Sequence, residues 1–276
     1  MGETRSALVT GCSSGIGLAT AKLLATRGWR VVASARQEKD VVRLRGEGLT
    51  AVTLDIADPE SIGTALDEVL TLTGGRLDAL VNNAGIAIPG AVEDLGRELL
   101  QRQFDVNLFG TLELTNSVLP LMRRQGHGRV VMVSSILGRV AVPWRGAYNA
   151  SKFALEGITD TLRLELAGSG IQVSLVNPGP VQSRFRDNSL ANFDALVDTA
   201  ASPYRDRYVK LRAETGARKD KQPFTVGPEV VARKIAHALE SRHPKARYYV
   251  TLPAYLLATA RCLLPTRMLD SLLSKI

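Results

Sequence analysis

The sequence predicts an α/β protein: a doubly wound parallel sheet with helices on both faces. Three observations lead there. Apolar, strand-like runs alternate with helical stretches from the first residues onward, which is the pattern of successive right-handed βαβ crossovers. A glycine-bearing turn, Thr10-Gly11-Cys12-Ser13-Ser14-Gly15-Ile16-Gly17, joins the first apolar run to the first helical one. No stretch repeats in tandem, and 276 residues with 45% hydrophobic and 22% charged content suffice for one full core.

In chain order, residues 7–9 give the first strand, 15–27 a helix, and 29–33 and 50–54 the next two strands. Asp58-Pro59-Glu60 opens a helix, with aspartate as cap and proline in the first turn. Residues 77–81 form the fourth strand and run into Asn82-Asn83-Ala84-Gly85. One long helix covers 97–123, a fifth strand 129–133, a further helix 146–167 and a sixth strand 171–176, which Asn177-Pro178-Gly179-Pro180 stops. The segment 181–222 breaks the alternation and mixes apolar anchors (Phe185, Leu190, Phe193, Tyr204, Tyr208) with charges. Inserted after the end of a strand, it is expected to be a mobile lid. A helix at 228–240 and a strand at 246–251 resume the sheet.

The expected organisation is thus a catalytic domain, 1–252, carrying the lid, and a helical tail, 253–276. Arg261, Pro265 and Arg267 interrupt the leucine stripes of the tail, so it falls short of the roughly 20 apolar residues of a membrane span. Two short amphipathic helices are expected instead, packing on the body or a subunit partner, or lying in a membrane interface.

Charge is unevenly placed. Residues 1–202 carry 20 Lys+Arg against 21 Asp+Glu, and residues 203–276 carry 15 against 6. A basic patch suits an anionic membrane surface, nucleic acid or plain solvation; no stacking-aromatic or recognition-helix pattern supports nucleic acid. Cys12 and Cys262 have no CxxC spacing, which argues against a disulfide framework and for a reducing, cytoplasmic setting. His127, His237 and His243 form no metal-ligand cluster, so no metal is expected. The first strand begins by about Ser6, leaving no room for a signal peptide, while Met1-Gly2-Glu3-Thr4-Arg5-Ser6 fits the loose myristoylation pattern.

The chemistry concentrates at Tyr148-Asn149-Ala150-Ser151-Lys152, with Ser135 thirteen positions upstream of Tyr148. Tyr and Lys four apart share a helix face, and an ammonium beside a phenol favours the phenolate and lowers its pKa. Ser135 follows the strand-forming run Val130-Val131-Met132-Val133, so its hydroxyl emerges at a strand's C-terminal end, where open parallel sheets place ligands. The glycine turn suits a pyrophosphate against a helix N-terminus. The second strand ends Ala33-Ser34-Ala35-Arg36. A carboxylate there would hold the ribose hydroxyls of NAD(H); an arginine favours the 2′-phosphate of NADP(H). Asp55 could bind the adenine edge or cap the next turn.

These motifs together resemble the classical short-chain dehydrogenases/reductases over nearly the whole chain: Thr10 through Gly17, Asn82-Asn83-Ala84-Gly85, Asn107, Ser135, Tyr148-x-x-x-Lys152 and Pro178-Gly179. The resemblance implies a Rossmann-like domain and hydride transfer between a nicotinamide and a carbonyl or alcohol carbon. It implies that Ser135 holds the substrate oxygen, Tyr148 gives it a proton, Lys152 binds the nicotinamide ribose, and Asn107 holds a relay water. It also implies that Asn82 and Gly85 line the cofactor cleft with Asn83 and Ala84, that Pro178 and Val181 approach it, and that Ser183 stands where the family often has threonine. The basic, leucine-rich C-terminus is similar to the estradiol and retinol dehydrogenase branch and to bacterial NADP-dependent aldehyde reductases. Leu137, Val142, Trp144 and Phe185 are the expected substrate wall, apolar with few polar anchors. A hydrophobic carbonyl substrate (fatty aldehyde, retinal or steroid-like ketone) and a homodimer or homotetramer follow as expectations. An NAD-dependent alcohol or hydroxysteroid dehydrogenase is the enzymatic alternative; a non-catalytic dinucleotide sensor would have no use for the intact Asn–Ser–Tyr–Lys set.

Overall fold

The computed structural model describes residues 4–200, 202–217 and 224–274. The chain runs β1 (Ser6–Val9), α1 (Gly15–Thr26), β2 (Arg30–Ala35), α2 (Glu38–Gly46), β3 (Thr50–Thr53), α3 (Pro59–Thr73), β4 (Ala79–Asn82), α4 (Arg97–Phe104), α5 (Gly110–Gln125), β5 (Gly128–Val133), α6 (Gly146–Glu165) and β6 (Ile171–Asn177). It continues through α7 (Phe185–Leu196), α8 (Arg205–Ala217), α9 (Pro228–Glu240), β7 (Arg247–Tyr249), α10 (Leu252–Leu263) and α11 (Thr266–Leu273). The strands form one sheet in the order β3-β2-β1-β4-β5-β6-β7, and every neighbouring pair is parallel. The expected doubly wound sheet is present.

Strand alternation sorts the core into two layers. Ala7 and Val9 face the α1, α2 and α9 side with Leu24, Leu44 and Ile235. Leu8, Leu80 and Met132 face the α3, α5 and α6 side with Ile62, Leu114 and Leu155. Because β3 returns across the sheet to β4, the order reverses between β1 and β4, and the crevice beyond their C-terminal ends is where such sheets bind ligands.

Four local expectations need correcting. Helix α2 was not anticipated, because Val41 and Leu44 alone bury in its nine residues and so small a stripe leaves no periodic signal. The long helix at 97–123 is α4 and α5 joined by a π turn, Asp105–Phe109. At its end a Cβ on Gly110 would stand 1.6 Å from the Ile56 carbonyl oxygen, so only glycine fits there. The fourth strand lies later than 77–81, since Leu77 is instead held by the side chain of Gln125. The last strand is shorter than 246–251: Thr251 accepts a hydrogen bond from the Ala254 amide and caps α10.

The segment 181–222, expected as a lid, contains α7 and α8. Its base is pinned where Val181 bridges Val226; its residues 201 and 218–222 lie outside the described residues, as do Met1-Gly2-Glu3 of the myristoylation pattern. The tail forms two helices whose inner faces bury Ala254, Ala258, Leu269 and Leu273 against Ile136 and Val140, with Leu137 and Val142 packed on the same cluster. Removing one of these anchors leaves a cavity under the segment after β5. Leu269→Ala should therefore lower unfolding stability by about 2–5 kcal/mol in urea titration, whereas a loss below about 1 kcal/mol would mean the tail is not part of the core.

Candidate active site

The glycine turn leaves β1 at Thr10, whose amide donates to the Val81 carbonyl. The Thr10 hydroxyl accepts from the amides of Asn83 and Ala84, both at 2.9 Å. Asn83 returns the tie through its side-chain amide, 2.8 Å from the Thr10 carbonyl and 3.2 Å from that of Gly11. The turn after β1 and the loop after β4 are thus stitched together at the reversal of strand order. Gly11 has φ +71°, and a Cβ there would lie 2.9 Å from the Ala84 Cα; a Cβ on Gly17 would lie 2.4 Å from the Gly11 carbonyl oxygen. Gly15 rests against Ser183, bringing the start of the lid segment to the turn.

Helix α1 begins at Gly15 with no side-chain cap and no acid in its first turn, so its leading amides are open to an anion. Arg43 and Arg184 both donate to the Ser13 carbonyl at 2.7 Å and brace the turn, with Arg43 itself paired to Asp40 and Glu47. A dinucleotide phosphate fits this cradle. Arg36 is exposed just beyond β2, while the nearby carboxylates are engaged elsewhere: Glu38 accepts from the Thr53 hydroxyl and Asp40 pairs with Arg43. Asp55 accepts from the Ala57 amide at 3.1 Å, the turn-capping alternative. Asn82 departs from expectation. It is buried, with its amide 2.8 Å from the Thr115 hydroxyl, because a residue at the end of β4 alternates away from its neighbour Asn83.

The second half of the site forms where β5, α5 and α6 meet. Ser135 leaves β5 in extended conformation, and its hydroxyl accepts from the Leu137 amide. On α6, Tyr148, Ser151, Lys152, Leu155, Glu156 and Thr159 are buried at helical spacing. Lys152 Nζ donates to the Val133 carbonyl at 2.9 Å and lies 5.9 Å from the centre of the Tyr148 ring. A methyl group on Gly85 would stand 3.3 Å from Asn107 Oδ1 and 3.9 Å from Lys152 Nζ, so Gly85, Asn107 and Lys152 converge. Within the π turn, Asn107 clasps both backbone groups of Ile86 and donates to Ser151. The side chain of Asn107 is thus fully engaged with protein groups.

Burial dominates the electrostatics. The Tyr148 phenol is pushed up from its ordinary value by burial, while hydrogen bonding with Ser135 and the Arg145 charge pull it down without prevailing. This reverses the expected lowering: removal from water opposes the phenolate more strongly than nearby cations favour it. Burial also brings Lys152 down to about 8, against the raising influence of Glu156. Lys152 is therefore charged below about pH 8 and increasingly neutral above it.

Several contributors carry no sequence signal. Arg145 faces Tyr148 electrostatically from one turn before it. Gln103 holds the Ile88 amide and the Ile86 carbonyl, both at 2.8 Å. Asn177 donates to the Ser135 carbonyl and to Glu156, which Arg247 of β7 pairs at 2.7 Å. On the lid, Phe185 meets Tyr148 edge-on at 5.7 Å, and Trp144 lies against Tyr204 and Tyr208 at 5.1 and 6.1 Å. Trp144 has φ +63°, a strained backbone for a bulky residue. Tyr208 fixes the lid by accepting from the Ala91 amide and donating to Asp94. Leu137 and Val142, by contrast, give their apolar surface to the tail cluster.

The sequence profile described as short chain dehydrogenase matches residues 5–193. The chain belongs to that family. It is accordingly an oxidoreductase, and the expected Rossmann-type architecture and family resemblance hold. Among proteins similar to it, "Uncharacterized oxidoreductase YbbO" of Escherichia coli K12 is 42% identical over 98% of this chain and 94% of its own length. Human "Retinol dehydrogenase 16" is 36% identical over 96% of this chain and 86% of its own. A short chain dehydrogenase/reductase from Burkholderia phymatum, solved in complex with NAD, superposes with TM-score 0.80 at 28% identity over 98% of this chain and 95% of the other.

If the cradle binds a nicotinamide dinucleotide, Gly17→Ala, whose new Cβ meets a backbone carbonyl at 2.4 Å, should weaken cofactor affinity at least tenfold by fluorescence titration with circular dichroism unchanged. Wild-type affinity in the variant would place the phosphates elsewhere.

Proposed function

We propose that this short chain dehydrogenase is an NADP(H)-dependent aldehyde and ketone reductase acting on long hydrophobic carbonyl compounds of the fatty aldehyde, retinal or steroid type. The observation that carries the reading is the convergence of Ser135, Tyr148 and Lys152 at the end of β5, beside the phosphate cradle and beneath Phe185. NADPH, when bound, supplies the hydride. The cofactor-binding set is Gly11, Ser13, Ser14, Gly15, Ile16, Gly17, Arg36, Asp55, Asn83, Ala84, Gly85, Tyr148, Lys152, Pro178, Val181 and Ser183.

In this reading Ser135 grips the substrate oxygen and Tyr148 hands it the phenolic proton. A phenol held above its ordinary pKa by burial carries its proton at neutral pH, the form that carbonyl reduction draws on. Lys152, charged at neutral pH, binds the nicotinamide ribose and stabilises the phenolate left after transfer. Asn107 keeps the π turn in register so that a backbone carbonyl can hold the relay water. Trp144 and Phe185 form the substrate wall, backed by Leu137 and Val142, whose apolar surface packs on the tail cluster. An apolar pocket discriminates chain length weakly, at about 1–3 kcal/mol per methylene, so broad specificity follows. Similarity to retinol dehydrogenase 16 supports a long apolar substrate.

The same reading makes the protein cytoplasmic and homodimeric or homotetrameric, with Phe109 of the π turn before α5 and Phe153, Ile158 and Leu164 of α6 exposed as its subunit surface. Peripheral membrane contact through the tail belongs to it too, because greasy carbonyls partition into bilayers. No helix among the described residues is long and apolar enough to cross a membrane.

NADP preference rests on Arg36, an exposed guanidinium with no carboxylate bound to it among the described residues, whereas the similar Burkholderia protein was solved with NAD. The test is kcat/KM for NADPH and NADH against aldehydes and ketones of graded chain length. NADPH should be preferred, and Arg36→Ala should cut kcat/KM for NADPH by roughly 10- to 100-fold, the worth of a charge-assisted phosphate contact, with little change for NADH. Native preference for NADH would favour the NAD-dependent alcohol dehydrogenase reading, and no turnover with any carbonyl would favour a sensor.

A further inference from the structure

Helix α10 has two unlike faces. Ala254 and Ala258 are buried against the body, whereas Leu252, Tyr255, Leu256, Thr259, Cys262 and Leu263 project outward. At 100° per residue these six share one arc, and the arc carries no charge. Leu256 and Leu263 are 60% and 75% exposed. The single charged residue of α10, Arg261, lies on the other side in a pocket with Glu156 and Asp160. Met268 and Leu272 extend the apolar surface along α11, at 58% and 44% exposure. An exposed apolar ridge of this kind is unusual on a protein that has no use for it.

Against the ridge lies a cavity of about 470 Å³ between α9, β7 and α10. Arg233, Lys234 and Lys245 line it, exposed and without an ion-pair partner among the described residues. Its fourth cation, Arg247, is already neutralised by Glu156 and Asp160. No carboxylate among the described residues lines the cavity. Tyr255 belongs to both features: it stands on the outward arc of α10, and with Tyr249, 5.5 Å away edge-on, it walls the cavity. An uncompensated cationic hollow and an uncharged helix face thus share one edge.

We propose that this face docks on an anionic lipid surface, a headgroup phosphate entering the Arg233–Lys234–Lys245 hollow while Leu252, Leu256, Leu263 and Met268 enter the acyl boundary. The inference rests on the peripheral-contact reading above and adds the headgroup site and its residues. Charge complementarity selects the occupant. A second copy in an isologous contact would bring like sets of unpaired cations together, and a soluble anion would account for the hollow but leave the ridge unused. The ridge also backs onto the cluster holding Leu137 and Val142, so docking would set the proposed substrate wall close to the bilayer.

The test is co-sedimentation of the full chain with vesicles of phosphatidylcholine alone and of phosphatidylcholine mixed with phosphatidylglycerol. NADPH oxidation of a water-soluble short aldehyde is followed in parallel. The wild type should bind the mixed vesicles and not the neutral ones. Combined Arg233→Gln, Lys234→Gln and Lys245→Gln should weaken binding by roughly a hundredfold, as expected for three cations near a charged membrane surface, and Leu256→Ser with Leu263→Ser by at least tenfold. Both variants should keep wild-type turnover of the soluble aldehyde. The proposal is overturned if the wild type binds neither vesicle, or if the cation variant binds as well as the wild type. Stabilisation by inorganic phosphate without vesicle binding would mean a soluble-anion site, and self-association abolished by the leucine variant without vesicle binding would mean a subunit contact; either overturns it too. Vesicle binding without turnover of any carbonyl would instead remove the reductase reading and leave the docking intact.

Discussion

The burial of Tyr148 and Lys152 beneath the end of β5 constrains everything around them. Taking an ammonium out of water is costly unless its donors are met. Lys152 gives one to the Val133 carbonyl and lies one turn before buried Glu156 on α6. Glu156 in turn needs its own partners, and Asn177 and Arg247 provide them from β6 and β7. A single ammonium therefore ties three strand ends and α6 into one arrangement. Removing Glu156 would leave Arg247 only Asp160 as its carboxylate partner and take the facing carboxylate from buried Lys152.

The same burial acts on both titratable groups. It keeps the proton on the Tyr148 phenol, while a lysine brought down to about 8 remains charged through the neutral range. In the proposed reading the dinucleotide's bridging phosphates sit on the opposite wall of the crevice, held by backbone rather than side chains. Close glycine contacts at Gly11 and Gly17 leave the α1 amides as the donors, and Thr10 and Asn83 lock the two walls at a fixed distance. The lid is fastened by aromatic contacts to Trp144 and by Tyr208 to Asp94, so that Phe185 arrives over Tyr148.

Features whose cause is local could be read from the chain. The glycine turn, the Tyr148–Lys152 spacing, the Asp58 cap and the two amphipathic tail helices each depend on residues a few positions apart, where backbone sterics and helical period act directly. What escaped depends on residues far apart. Glu156 and Arg247 are 91 positions apart, and Tyr208 and Asp94 are 114 apart; no periodicity reports such pairings. The π turn at Asp105–Phe109 is invisible to a 3.6-residue pattern, being an insertion that the flanking helices absorb. The phenol's upward shift is hidden from the sequence for a related reason: spacing gives a neighbour's charge, but not the depth at which both groups lie.

The central claim is that Tyr148 supplies the proton, and the most direct measurement is single-turnover NADPH oxidation by Tyr148→Phe with a hydrophobic aldehyde, alongside NADPH affinity. Loss of at least a thousandfold in rate, with affinity within threefold of the wild type, is the predicted result. A variant that retains a tenth or more of the wild-type rate would contradict it and move the acid elsewhere in the site.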